Sequence, residues 1–160
     1  MTEKPTLRYA FIGAGNMATA IVEGLISHSV CAPEEIGCLS KPRDTAAALS
    51  QKCKINLLQD LEKPLEGAET VILAIKPQHL GDLHPTLIKT TKDKLIISII
   101  AGKKISQLKE LFSEAKNIVR VMPNTPAQIG AGISAYCSLS ELSFSDQQSV
   151  DPLLSAMGSH

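Results

Sequence analysis

A glycine-rich turn joins an apolar, strand-like segment to an amphipathic, helix-like segment within residues 8–28. The turn, residues 13–18, reads GAGNMA and fits a G-x-G-x-x-A pattern. In such a turn the first glycine permits a tight bend, the second leaves space beside the backbone, and a small third residue lets helix and strand pack closely. The helix N-terminus then offers free N–H groups to an anion. The pattern predicts a dinucleotide-binding turn; a glycine turn that only reverses the chain is the alternative.

Short runs of aliphatic and β-branched residues recur along the chain, and segments with helical spacing of apolar residues separate them. The predicted strands are Arg8–Ile12, Ile36–Leu39, Thr70–Ile75, Leu95–Ile100 and Asn117–Met122, with a further short one at Lys54–Leu57. Strands that alternate with helices indicate right-handed crossovers and parallel pairing. The sequence therefore predicts one α/β domain over residues 1–160, a Rossmann-type, doubly wound and mainly parallel sheet with helices on both faces.

The last segment has an apolar helical face and predicts a helix from Ser145 to Met157. Ser145 and Gln148 have the spacing of a capping box, which places the helix N-cap at Ser145. Pro152 lies within this segment, and the first turns of a helix tolerate proline better than its interior.

The composition excludes several classes of partner. With 44% hydrophobic residues, 20% charged residues and zero formal net charge, the chain is neither disordered nor a basic nucleic-acid binder. No apolar run reaches the roughly 20 residues that span a bilayer, and the polar start lacks a secretory signal. The four cysteines form no C-x-x-C pair, so neither a metal site nor a disulfide framework is indicated. We expect a reduced, cytoplasmic protein.

The end of the second predicted strand indicates which cofactor is preferred. A carboxylate at this place would accept hydrogen bonds from the ribose 2′-hydroxyl of NAD(H). The chain has Ser40, Lys41, Pro42 and Arg43 there instead. A hydroxyl and two cations suit a 2′-phosphate, so NADP(H) is favoured and NAD(H) stays the alternative. The other interpretation is that Lys41 and Arg43 are only solvated charges in a loop.

Three further strand ends carry candidate binding residues, because ligands of open α/β sheets lie beyond the carboxyl ends of the strands. One strand leads into residues 74–78, AIKPQ, and the next into Ala101 and Gly102. The last leads into residues 123–127, PNTPA, where two prolines stiffen a loop that carries an amide and a hydroxyl. Ordinary turn chemistry explains this loop equally well.

Several segments together resemble one family, the pyrroline-5-carboxylate reductases. The resemblance rests on residues 11–18 (FIGAGNMA), 74–78 (AIKPQ) and above all 119–127 (VRVMPNTPA). It continues through residues 130–132 and 134–136 to residues 153–158, in the family's order, and so covers nearly the whole chain.

The resemblance implies reduction of 1-pyrroline-5-carboxylate to L-proline by NAD(P)H, the last step of proline biosynthesis. It implies a cofactor site built from residues at the matching positions. These are Gly13, Gly15, Asn16, Met17, Ser40, Arg43, Ala74, Lys76, Pro77, Ala101 and Asn124. Asn124 would lie beside the reacting centre, but no residue is a secure acid, base or nucleophile. His28, His79, His84 and His160 are expected to be structural or solvated.

Two departures from the family bear on this reading. Asp60 stands near the adenine position, where the family often has asparagine. Family members also continue into a helical domain that forms dimers, completes the substrate site and carries a Ser-Gly-Ser-Gly-Pro-Ala-Tyr motif, which this sequence lacks. We expect the chain to correspond to the N-terminal half of a homo-oligomeric enzyme and to reduce the substrate poorly by itself. We also expect it to expose apolar surface in the loop after the sixth strand and on the last helix.

Two alternatives stay open at this point. One is another NADP-dependent oxidoreductase, acting on an imine or a hydroxyacid, which would share the glycine turn. The other is a non-catalytic, nucleotide-sensing Rossmann module, which would bind the dinucleotide without any redox reaction.

Overall fold

A computed structural model of the protein describes residues 7–40, 43–58, 68–122, 132–133 and 135–159. The predicted positions Lys41, Pro42, Asp60 and Asn124 lie outside the described residues, as does His160.

The described chain alternates strands and helices as the sequence predicts. The strands are β1 (Tyr9–Ile12), β2 (Ile36–Leu39), β3 (Asn56–Leu57), β4 (Thr70–Leu73), β5 (Leu95–Ser98), β6 (Asn117–Met122), β7 (Gly132–Ile133), β8 (Ala135–Ser138) and β9 (Gly158–Ser159). The helices are α1 (Asn16–Ser27), α2 (Arg43–Cys53), α3 (Pro85–Lys89), α4 (Ile105–Leu111) and α5 (Phe144–Ala156). Two short 3₁₀ helices, Pro33–Glu35 and Pro77–Asp82, complete these elements.

Seven strands form one sheet in the order β3-β2-β1-β4-β5-β6-β8. All pairs are parallel except that of β6 with the edge strand β8, which is antiparallel. The chain leaves β1 toward β2 on one side and reaches β4 on the other, so the strand order reverses at β1. In open α/β sheets this reversal creates the crevice in which ligands bind, at the carboxyl ends of the strands.

The predicted α/β fold and its six strands are confirmed, although two strands end sooner than predicted. β4 ends at Leu73 rather than Ile75, and β5 ends at Ser98 rather than Ile100. Beyond β5 the Ser98 hydroxyl accepts a hydrogen bond from the Ile100 backbone N–H, 3.2 Å away, which turns the chain out of the sheet. The residues after both strands are therefore loop residues at the sheet's carboxyl edge.

Two apolar cores cover the two faces of the sheet. On one face, strand side chains such as Phe11 and Ile72 pack with α1, α2 and α5. On the other face, Ile12 and Ile96 belong to a second core with Leu108 of α4. Burial on both faces explains why the central strands read as continuous aliphatic runs in the sequence.

Helix α5 is fastened to the first strand by polar as well as apolar contacts. The Tyr9 hydroxyl donates to the Ser149 carbonyl oxygen, 2.7 Å away, inside the core. Burial there raises the pKa of the Tyr9 phenol to about 12, which keeps it a protonated donor. Helix α5 also packs closely against α1. A Cβ placed on Gly24 of α1 would lie 2.6 Å from the Ala156 carbonyl oxygen of α5.

The predicted start of the last helix is wrong by two residues. Ser143, not Ser145, is the N-cap of α5, and its hydroxyl accepts a hydrogen bond from the Asp146 backbone N–H at 3.1 Å. The earlier start places Pro152 in the interior of α5 rather than in its first turns. Asp146 also pairs with Lys116 at 2.8 Å, which links α5 to the segment before β6.

Apolar side chains are exposed at the end of β6, on β8 and on α5, and their exposure on α5 agrees with the expectation for the last helix. The loop after the sixth strand, where exposure was also expected, lies outside the described residues. Phe144, the first residue of α5, is 80% exposed, and Met122 is 44% exposed. Tyr136 on β8 and Leu139 just after it are also exposed. Within the described parts of the chain, no helix is long and apolar enough to cross a membrane.

We predict that Gly24→Val destabilises the fold by about 1–3 kcal/mol, because any side chain at this position meets the backbone of α5. Denaturant unfolding measures the change. Gly81→Val is the matched control, since no heavy atom lies within 4 Å of a Cβ built there. Equal stabilities of the two variants would contradict close packing of α1 on α5.

Candidate functional site

The glycine turn places the start of α1 at the point where the strand order reverses. Gly13 follows β1 with φ +107°, a conformation that L side chains rarely adopt. A Cβ at Gly13 would lie 2.5 Å from the Ala74 carbonyl oxygen, so the turn lies directly against the end of β4. The Gly13 N–H donates to the Leu39 carbonyl oxygen at 2.8 Å, which fixes the turn to the end of β2 as well.

The N-terminus of α1 is left open for an anion. Gly15 is the N-cap, and it supplies no side-chain hydrogen bond to the first N–H groups of the helix. The first turn carries no acidic residue, so the positive end of the helix dipole is not neutralised locally. A Cβ at Gly15 would meet no atom of the described structure within 4 Å. The glycine is thus not required by packing, which fits a position where a ligand approaches the backbone.

Ala18 has the packing role that the sequence predicts for the third small residue. Its side chain is fully buried in the core between α1 and the sheet. Met17 is half-buried at the carboxyl edge of the sheet, and Asn16 is exposed there.

The predicted 2′-phosphate site lies at the end of β2, one strand away from the glycine turn. The Ser40 hydroxyl accepts a hydrogen bond from the Ala46 backbone N–H at 2.9 Å and lies 2.8 Å from the Thr45 hydroxyl. Ser40 therefore also stabilises the first turn of α2. Arg43 is the first residue of that helix, and its side chain is not among those described. The exposed Asp44 follows it.

The predicted ribose and nicotinamide side lies at the ends of β4 and β5. The Ala74 N–H donates to the Ile12 carbonyl oxygen at 2.8 Å, which places Ala74 beside the glycine turn. Lys76 is exposed at the N-cap of the following 3₁₀ helix, and Pro77 is the first residue of that helix. Ala101 is exposed in the turn after β5.

A cleft of about 360 Å³ opens at this edge between α1, the turn after β5 and the end of β6. Most of its described wall is apolar. The lining residues are Met17, Ile99, Ile100, Ala101, Gly102, Arg120, Val121 and Met122. The cleft therefore brings together two predicted site residues, Met17 and Ala101.

Arg120 is the one charged residue among those lining residues, and it was not among the site residues predicted from the sequence. It lies on β6, directly opposite Ser98 of β5 and Cys137 of β8. Its Nε atom is buried without a hydrogen-bond partner in the described structure. One sequence feature could have identified it: Arg120 is the only charged residue in the strand of residues 117–122, NIVRVM.

The histidines have structural positions in the described chain. His28 is the C-cap of α1, with Nδ1 2.8 Å from the Gly24 carbonyl oxygen. His84 is the N-cap of α3, and its Nδ1 accepts from the Thr86 N–H at 3.1 Å. His79 lies on the 3₁₀ helix with Asp82 3.6 Å away. Within the described ranges, no cluster of three or more metal-ligating side chains occurs.

The described site residues occupy the carboxyl ends of four adjacent strands, β2, β1, β4 and β5. At about 4.8 Å between neighbouring strands, these ends extend over roughly 14 Å. The arrangement offers a polar end at Ser40, a helix start without a side-chain cap in the middle, and an apolar cleft at Ala101. These three regions, side by side along one edge of the sheet, suit an elongated ligand with phosphates at its centre and a planar ring at one end.

Comparison with known proteins identifies the family. Residues 8–102, more than half of the chain, match the family described as NADP oxidoreductase coenzyme F420-dependent. The chain belongs to this family.

Named relatives confirm the resemblance found in the sequence. A pyrroline-5-carboxylate reductase from Vibrio alginolyticus is 35% identical over 152 residues, covering 94% of this chain and 56% of the relative. The chain thus spans slightly more than half the length of this curated relative.

Solved structures show the same fold. A pyrroline-5-carboxylate reductase from Coxiella burnetii is 28% identical with a TM-score of 0.86, over 96% of this chain and 57% of that one. The Plasmodium falciparum pyrroline carboxylate reductase, solved with NADP bound, is 27% identical with a TM-score of 0.77, over 98% and 57% of the two chains.

We predict opposite outcomes for alanine at the two glycines of the turn. Gly13→Ala should lose at least about 2 kcal/mol of stability, since it combines a positive φ with a backbone clash. Gly15→Ala should stay within about 1 kcal/mol of the wild type, because its φ of −79° is ordinary and its surroundings are open. Denaturant unfolding of both variants measures this. A large loss for Gly15→Ala would mean that its glycine serves packing rather than a ligand.

Proposed function

We propose that this member of the NADP oxidoreductase family is a pyrroline-5-carboxylate reductase, and that the described chain binds its dinucleotide cofactor. The observation that carries the proposal is the 35% identity to the Vibrio alginolyticus enzyme over 94% of the chain. The fold shared with the Coxiella burnetii enzyme, at a TM-score of 0.86, supports it. The reaction is reduction of 1-pyrroline-5-carboxylate to L-proline, the last step of proline biosynthesis.

The proposed cofactor is NADP(H) rather than NAD(H). The chain has Ser40, not an acidic residue, at the end of β2, and Arg43 follows nearby. The Plasmodium falciparum relative was solved with NADP bound. Both observations support this preference. The residues proposed to hold the cofactor are Gly13, Gly15, Asn16, Met17, Ser40, Arg43, Ala74, Lys76, Pro77, Ala101 and Asn124. The open, uncapped start of α1 fits a pyrophosphate, since backbone N–H groups there have no side-chain partner.

When bound at this site, NADPH would supply the hydride that reduces the C=N carbon of the substrate. The protein's own contribution is placement, which in favourable cases contributes about 7–11 kcal/mol. Met17, Ile99 and Val121 line the cleft with apolar surface that excludes water from the reacting atoms. Asn124 is proposed to lie beside the reacting centre.

The whole-protein properties that follow are also proposals. A homo-oligomer built on dimers is supported by three exposed apolar side chains. These are Tyr136 on β8, Leu139 just after β8, and Phe144 at the start of α5. A cytoplasmic location is supported by the four free cysteines, Cys31, Cys38, Cys53 and Cys137.

We predict that the protein binds NADPH more tightly than NADH, and that Arg43→Ala removes most of this preference. Loss of a charge-assisted contact to the 2′-phosphate should weaken NADPH binding by about 10- to 100-fold and leave NADH binding within about twofold. Quenching or enhancement of nicotinamide fluorescence measures both dissociation constants. Lys92→Ala, an exposed cation in the turn before β5, is the charge-matched control. Equal losses for NADPH and NADH would contradict a 2′-phosphate contact.

The proposed activity is tested by the loss of NADPH absorbance when the natural protein that carries this sequence is mixed with 1-pyrroline-5-carboxylate. We expect oxidation of NADPH with formation of L-proline. We also expect at least about tenfold lower kcat/KM in Gly15→Ala, because its methyl group would occupy the open space beside the turn in which the cofactor pyrophosphate is proposed to lie. Tight NADPH binding with no turnover would instead identify a nucleotide-sensing module. Turnover with other imines or hydroxyacids only would identify a different oxidoreductase.

A further inference from the structure

Cys137 is the most accessible of the four thiols and lies on the edge strand of the sheet. Cys31 and Cys38 are buried, and Cys53 is half-buried. Burial raises the pKa of each of these three thiols, that of Cys38 to about 11, which disfavours the reactive thiolate. Cys137 is exposed on β8 instead. It is therefore the thiol most open to reagents in solution.

A guanidinium lies next to this thiol. Cys137 is directly opposite Arg120 of β6 in the antiparallel register. Side chains that are directly opposite each other in such a pair lie on one face of the sheet, with Cβ atoms about 4.5–5.5 Å apart. Ser98 of β5 continues this row on the other side of Arg120. The row thus leads from the end of β5 to Cys137 at the outer edge of the sheet.

Arg120 offers a donor that the described fold does not use. Its Nε atom is buried and has no hydrogen-bond partner among the described residues. None of the ion pairs found among those residues includes Arg120. A buried donor without a partner destabilises a fold, so this donor points to an acceptor that arrives from outside. Charge-assisted hydrogen bonds are the strong ones, so a carboxylate suits a guanidinium best.

We propose that Cys137 is a site of reversible mixed-disulfide formation with a small thiol that carries carboxylates, and that Arg120 binds one of these carboxylates. The exposed thiol supplies the covalent bond. The neighbouring guanidinium supplies the preference for an anionic reagent. The ligand class is a low-molecular-weight disulfide of the glutathione type.

The chemistry is thiol–disulfide exchange, with the reagent disulfide as the oxidant. The Cys137 thiol loses its proton, and its Sγ attacks one sulfur of the reagent. A new S–S bond forms at Cys137 while the S–S bond of the reagent breaks. The leaving sulfur takes up a proton and departs as a free thiol. The Cys137 sulfur is thereby oxidised and the departing sulfur is reduced.

The adduct would cover part of the cleft. Neighbouring strands lie about 4.8 Å apart and a tripeptide extends about 10 Å, so an adduct on β8 reaches across to β6. Arg120 and Met122 of β6 both line the cleft. Modification should therefore weaken the binding of NADPH. This consequence rests on the proposed function, because it takes the nicotinamide to lie in the cleft.

Two disulfides of opposite charge test the site. Glutathione disulfide is an anion and cystamine is a cation, and intact-protein mass spectrometry measures the rate of each reaction at Cys137. The ratio of the two rate constants should be at least about fivefold lower in Arg120→Met than in wild type, because the attraction for the anion is lost. Arg120→Lys, which keeps the charge, should retain more of the ratio. High salt should lower the ratio in wild type, a result that needs no variant.

Two cysteine variants serve as controls. Cys137→Ser should take up no glutathione, whereas Cys53→Ser should react as wild type does. The glutathione adduct of wild type should bind NADPH at least about fivefold more weakly than the reduced protein, and dithiothreitol should restore the binding. Cys137→Ser treated with the same disulfide should bind NADPH like the reduced protein.

Three outcomes would overturn the inference. Wild type that forms no adduct at Cys137, or forms it at Cys53 instead, would exclude the site. A rate ratio that neither Arg120→Met nor high salt lowers would exclude the role of Arg120. Unchanged NADPH binding by the adduct would exclude coverage of the cleft. Failure of the proposed function is distinct from all three, because the reduced protein would then bind no NADPH or oxidise none with 1-pyrroline-5-carboxylate, whereas adduct formation is measured without either compound.

Discussion

The contact of Gly13 with the carbonyl end of β4 determines where everything else in the site lies. A Cβ built on Gly13 would lie only 2.5 Å from the Ala74 carbonyl oxygen, so only glycine fits there. The φ angle of Gly13 is +107°, which also favours glycine. Only with this close approach does α1 start at the reversal point of the sheet rather than above it. The free N–H groups of α1 then face the crevice between β1 and β4, where a negatively charged ligand is stabilised by the helix end.

The same edge of the sheet changes in character from one end to the other. At β2 it is polar, with the Ser40 hydroxyl held by the first turn of α2. At the ends of β5 and β6 it is an apolar cleft with Arg120 as the single cation of its described lining. This gradient follows mainly from which residues succeed each strand, since the strands themselves are largely aliphatic, and Arg120 of β6 is the exception. The sheet supplies position, and the loops supply the chemistry.

The fold was largely predictable from local patterns, and the site only partly. The glycine turn and the aliphatic runs identify β1, β4 and β5 because both faces of those strands are buried. The antiparallel edge strand β8 was not predicted, because its four residues include exposed Tyr136 and Cys137 and lack an apolar run. The cap of α5 was misplaced because Ser143 and Ser145 are both plausible by composition, and only geometry distinguishes them. Arg120 was visible as a lone charge within a strand, but its exposure to the cleft depends on how the turn after β5 leaves the sheet.

The most direct test of the account is an amide NMR titration of the protein with NADPH. Binding at the helix start predicts that the backbone N–H resonances of Gly15, Asn16 and Met17 shift most, with further shifts at Ala74 and Ala101 and none at the opposite, amino-terminal edge of the sheet. Shifts confined to other surfaces, or unperturbed amides at the start of α1 under saturating NADPH, would contradict the claim that this turn holds the cofactor.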